Sequence, residues 1–111
     1  SSTKGDQFFP WVNLSANGGK IGVTWLDRRA DPSNLKYQPF FTTSSNGGSS
    51  FSKSHAMSTA QSNPLNDGFG GGFMGDYRTH VFNGKAINAV WMDTTFVSNT
   101  CQDAFGGVAL K

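Results

Sequence analysis

Two segments of this 111-residue chain align without a gap, Ile21-Gly-Val-Thr-Trp-Leu-Asp27 and Ile87-Asn-Ala-Val-Trp-Met-Asp93. A chain that repeats itself at this scale builds one supersecondary unit per copy, because no copy buries its apolar face alone. Each segment alternates with a period of two. In the first, Ile21, Val23 and Trp25 take one face and Gly22, Thr24 and Leu26 the other. Both follow a turn signal, Asn17-Gly18-Gly19-Lys20 and Asn83-Gly84-Lys85. Asn-Gly supplies the positive φ that a two-residue hairpin needs. Another strand is expected before each turn, over 8–16 and 77–82. A polar loop and a third strand follow each Asp, over 36–43 and 102–110.

The first copy continues through 44–51 into a fourth strand near 54–59. The second has no fourth strand before Lys111. Four antiparallel strands per repeat predict an all-β fold of about two four-stranded β-propeller blades, the second lacking its outer strand. Residues 1–7 read as a tail or cut end, 8–60 as the first blade, 61–75 as a Gly-rich loop between blades, and 76–111 as the incomplete blade. Two blades cannot close a ring, so the expected partners are remaining blades of a longer chain or identical copies, three of which would make six blades. The alternative is a self-contained β-sandwich of about seven strands.

Composition narrows the function classes. Charged residues are only 14%, against roughly 25% in ordinary globular domains, and no segment carries apolar residues at helical spacing for three turns. Ten Phe and three Trp argue against disorder. No apolar run approaches the roughly 18 residues of a membrane helix. A net charge of +2 without a basic cluster gives no footprint for nucleic acid. A lone Cys101 leaves no disulfide framework within the chain. The chain contains no Glu at all, which limits the acid–base chemistry that can be proposed for it.

The segment Ser44-Ser-Asn-Gly-Gly-Ser-Ser-Phe51 resembles the Asp-box, the S-x-D-x-G-x-T-W turn of sialidase-like propellers. Ser44, Gly48 and Phe51 fit, Ser50 stands for Thr, and Asn46 replaces the Asp. Together with Phe-Phe-Pro-Trp, Val-Thr-Trp-Leu-Asp-Arg-Arg, Gly-Gly-Gly-Phe-Met-Gly-Asp-Tyr and Ala-Val-Trp-Met-Asp, the chain is similar to bacterial BNR-repeat proteins of the sialidase superfamily over about residues 7–110. The resemblance implies a secreted or cell-surface bacterial protein and a carbohydrate ligand. It also implies a Tyr nucleophile with a carboxylate base, which falls on Tyr77 and Asp76. The family's base is a Glu, absent here. Three converging arginines are implied as well, and Arg28, Arg29 and Arg78 are the only ones present.

Each candidate has a plainer reading. An Arg fork holds a carboxylate bidentately, but Arg28 and Arg29 are adjacent, and neighbours on extended chain point apart. Pairing of Asp27 with one of them inside the loop is the simpler expectation. Trp11, in the irregular Phe-Phe-Pro-Trp entry, is the candidate sugar platform, whereas Trp25 and Trp91 read as core. Ser44, Asn46, Gly48 and Ser50 suit a turn that satisfies its own backbone. His55 and His80 are too dispersed for zinc. No cofactor is expected, although Asp31, Asp67, Asp93 and Asp103, read as loop residues, would suit calcium without matching its usual spacing. Asn13-Leu14-Ser15 is a formal glycosylation acceptor. The expected function is therefore a structural or glycan-binding part of a sialidase-like propeller, not catalytic by itself. The alternatives are part of an exo-glycosidase completed by other blades, and a lectin-like propeller assembled from copies.

Overall fold

A computed structural model describes residues 4–66, 79–83, 86–94, 103–105 and 108–109. The fold is all-β, with a single 3-10 turn at Pro64–Asn66 among the described residues. Strands β1 (Gln7–Leu14), β2 (Ile21–Asp27), β3 (Gln38–Ser44) and β4 (His55–Ala56) form one antiparallel sheet in that order. Strands β5 (Thr79–Asn83) and β6 (Ala86–Asp93) begin a second. β7 (Asp103–Phe105) and β8 (Val108–Ala109) both pair with β6. The third strand expected over 102–110 is thus divided between two short pieces.

The first turn is wider than Asn-Gly suggested. Leu14 pairs with Ile21, so residues 15–20 form the loop. Ser15 closes it twice. Its N–H donates to the Lys20 carbonyl at 2.9 Å, and its hydroxyl accepts the Lys20 N–H at 2.9 Å. Gly18 takes a φ of 69°, and Asn17 accepts the Gly19 N–H through its side chain at 3.1 Å. Across the second turn Asn83 pairs with Ala86.

The two sheets stack face to face, but not symmetrically. The second sheet applies the face bearing Ile87, Ala89 and Trp91, all buried, to the Gly22, Thr24 and Leu26 face of the first. Ile87, Ala89 and Trp91 are the repeat-equivalents of Ile21, Val23 and Trp25. Those three lie on the opposite side of the first sheet and are only half-buried. A closed sandwich would turn both tryptophan faces inward. Here like faces point the same way, so Trp91 is core at 3% exposure while Trp25 stacks on Phe40 and borders open surface.

Close approach of the sheets depends on Gly22. A Cβ there would stand 2.8 Å from Phe82 and 3.0 Å from the His80 ring. Beside it, Thr24 Oγ1 and His80 Nδ1 share a buried hydrogen bond of 3.0 Å. Asn13 donates its side-chain amide to the His80 carbonyl at 2.9 Å, joining β1 to β5 and leaving that side chain engaged. At the other end of the stack Ser62 fastens both sheets. It exchanges two backbone hydrogen bonds with Tyr37, and its hydroxyl accepts the Thr94 N–H at 3.2 Å. Thr94 in turn accepts from the Asn63 N–H at 2.8 Å.

Candidate functional site

The end of β2 brings Asp27, Arg28 and Arg29 together, with Asp6 beside them. Asp27, its last residue, is buried although it carries a carboxylate. Three donors explain this. Trp25 Nε1–H reaches Oδ2 at 2.7 Å, Arg29 Nη2 reaches the same oxygen at 2.5 Å, and the Arg29 N–H reaches Oδ1 at 2.8 Å. Burial works to raise the Asp27 pKa, but the hydrogen bonds from Arg29 and Trp25 and the adjacent guanidinium outweigh it and hold the carboxyl below its ordinary value. Arg29 also lies 4.3 Å over the Phe40 ring and donates to Ser54 Oγ at 3.2 Å.

Arg28 turns the other way, as alternation requires. It lies 4.7 Å over the Phe8 ring and 3.4 Å from Asp6. Asp6 is held in place by Asn34. The Asp6 N–H donates to the Asn34 side chain at 2.9 Å, and the Asn34 amide donates back to the Asp6 carboxylate at 2.9 Å. Asn34 adopts a φ of 55°, a conformation that Asn tolerates better than most residues. Arg28 and Arg29 therefore each face their own Asp and their own ring, and they do not converge.

A cleft of about 620 Å³ opens beside this network, lined by Lys4, Asp6, Arg29, Asp31, Pro32 and Asn34. Its charges are mixed, and its carboxylates are largely engaged. Asp31 accepts backbone N–H groups from Ser33 at 3.0 Å, Leu35 at 3.0 Å and Lys36 at 2.7 Å. The N–H groups of Lys36 and Ser33 lower its pKa. The calcium reading of the aspartates changes accordingly. Asp31 spends its oxygens on its own turn, and Asp93 and Asp103 are not loop residues but paired strand residues on β6 and β7. Strand pairing of Trp91–Asp93 with Asp103–Phe105 takes both into the sheet. Asp67 lies outside the described residues, among which no group of His, Cys and Asp could hold a metal ion.

The segment 44–51 closes on itself. Ser44 Oγ accepts the Gly48 N–H at 2.9 Å and donates to Asn46 Oδ1 at 2.8 Å. Asn46 Oδ1 also accepts the Ser50 N–H at 3.0 Å, and its amide donates to Ser50 Oγ at 2.8 Å. Gly47 and Gly48 take φ values of 70° and 89°. Asn46 thus ties the turn together with its carbonyl oxygen, which accepts from both Ser44 and Ser50. Phe51 follows, exposed.

Trp11 stands on β1, paired with Thr24 and 44% exposed. The strand is bulged between Phe8 and Trp11, and Phe9, immediately before Pro10, has a φ of 52°. For a bulky residue that conformation is a strained outlier. Sequence reasoning singled out the irregular entry but not the strain. Among the described residues His80 sits between the sheets, and His55 packs against Phe41 at 5.7 Å on β4. Tyr77, Asp76 and Arg78 lie outside the described residues, as does Cys101. No family model, curated protein or solved structure matches this chain.

Proposed function

We propose that the two sheets are consecutive blades of a sialidase-like β-propeller, serving as scaffold rather than as a catalytic unit. The observation that carries this reading is directional stacking. The tryptophan face of the second repeat covers the opposite face of the first, the relation by which propeller blades follow one another around an axis. The self-closed turn at 44–51, placed between β3 and β4, is consistent with the Asp-box resemblance. The two described arginines speak for scaffolding too. Each already has a carboxylate and an aromatic ring, so neither presents a free fork to an acidic sugar.

Fluorogenic sialoside hydrolysis tests the reading. The chain alone is expected to give no turnover, and hydrolysis abolished by Tyr77→Phe would overturn the scaffold role. A glycan-binding role for the scaffold draws support from one observation. Strain at Phe9 holds an exposed aromatic entry on β1, and strained backbone tends to collect at ligand sites. Titration with oligosaccharides, followed by indole fluorescence, should then lose its response in Trp11→Ala.

A further inference from the structure

The open side of the first sheet is broad and apolar. Val12 and Leu14 are 64% and 58% exposed, and Ile21, Val23 and Trp25 continue the face across β2. A cleft of about 310 Å³ lies on it, lined by Gln7, Phe8, Pro10, Val23 and Trp25. An apolar face of this extent is uncommon on a protein that works alone. Its repeat-equivalent on the second sheet is already covered, so the existing interface states what kind of surface belongs here. It is a face equivalent to Gly22, Thr24 and Leu26. On the second sheet the aligned residues are Asn88, Val90 and Met92, and Asn88 and Val90 are exposed.

The registers allow the comparison residue by residue. Leu14 pairs with Ile21 as Phe82 pairs with Ile87, and Val12 pairs with Val23 as His80 pairs with Ala89. In the existing interface, bulky Phe82 approaches Gly22, and polar His80 meets polar Thr24. Stacking a second chain in the same manner places smaller Leu14 against larger Asn88, and apolar Val12 against apolar Val90. Volume is exchanged at one position, and polarity is matched at the other. A Phe in place of Leu14 would crowd Asn88, and a His in place of Val12 would find no polar partner in Val90.

We infer that a second copy of this chain stacks its Asn88 and Val90 face on the Val12, Leu14 and Val23 face of the first, head to tail. The inference rests on the blade reading above and names the neighbour that the open blade takes. Such a contact is heterologous: each chain offers one face and receives on the other, so association closes into a ring or grows without end.

Sedimentation of the full chain across a concentration range tests it, with Val12→Lys and Val90→Asp. Both positions are exposed, so each variant should keep the parent circular dichroism spectrum. The parent is expected to sediment as a discrete multiple of 11.9 kDa. Each variant alone should associate at least about tenfold more weakly, and mixing the two should restore pairing through attraction between the introduced lysine and the introduced aspartate. A chain that stays monomeric overturns the inference and leaves the blade reading in place, with a repeat of the same polypeptide as the neighbour. Association indifferent to either variant, or sensitive to only one, also overturns it. Unlimited growth that both variants block keeps the inference and overturns the closed propeller.

Discussion

Thr24 and His80 meet in a fully buried hydrogen bond between the two sheets, with their side-chain atoms 3.0 Å apart. Thr24→Val keeps the shape of the side chain and removes the hydroxyl from a site without water access. Loss of about 1–3 kcal/mol is expected, read as a lower urea midpoint with an unchanged slope.

Gly22→Ala attacks the same interface by volume. The added methyl has Phe82 within 2.8 Å and the His80 ring within 3.0 Å, and both rings are packed. Overpacking of this kind costs about 1–3 kcal/mol. Adding Phe82→Leu should return part of that stability, so the double variant is expected above the sum of the two losses in urea unfolding.

The two arginines should differ sharply. Arg29→Ala leaves the buried Asp27 without its guanidinium and is expected to cost about 2–4 kcal/mol. Arg28→Ala loses a contact with an exposed Asp6, worth about 0–1 kcal/mol. Thermal denaturation of both variants distinguishes a structural Arg29 from one held ready for a ligand. Near-equal effects would contradict the network described at the end of β2.

Acid should loosen the first sheet. Asp27 and Asp31 have folded pKa values below their unfolded ones, so the charged forms favour folding. Their stabilisation is complete above the unfolded value of 3.8 and is lost as pH falls from there through the lower folded values. Urea midpoints should be flat from neutrality to about pH 5 and decline below it. In Asp27→Asn the decline should be shallower, from a lower starting stability.

In the 44–51 turn, Asn46→Asp keeps the oxygen that accepts from Ser50 N–H, and the Ser50 hydroxyl can reverse to donate. Stability should change by no more than about 0.5 kcal/mol. Asn46→Ala removes both roles and should cost about 1–2 kcal/mol, measured by chemical denaturation.

The strands were legible because period-two alternation and a repeated Trp-x-Asp are local signals. The order of β1 to β4 followed from short polar connections. Which face of β2 is buried was not legible, since Ile-Gly-Val-Thr-Trp-Leu offers an apolar set on the Trp25 side and a mixed set on the other. Hydropathy favours the Trp25 side, yet the sheet packs on Gly22 and Thr24. A glycine admits the Phe82 ring, and a threonine has the His80 ring to bond, and both facts depend on residues far along the chain. The mutual aversion of Arg28 and Arg29 was readable from adjacency alone. The partners Asp6 and Phe8 were not, because the register of β1 against β2 includes a bulge. Asp93 and Asp103 read as loop residues for calcium although both fall within the segments read as strands, 87–93 and 102–110, and the strand reading is the one that holds.

Ser62 has a mechanical consequence. Its two backbone bonds to Tyr37 and its hydroxyl contact with Thr94 tie the exit of one sheet to the far end of the next. The Thr94 contacts of Ser62 and Asn63 cross the seam, so a tug that hinges the layers open has to break both of these ties. The pair should therefore tilt and travel as a single rigid plate, with its opening angle set by a serine outside the apolar core.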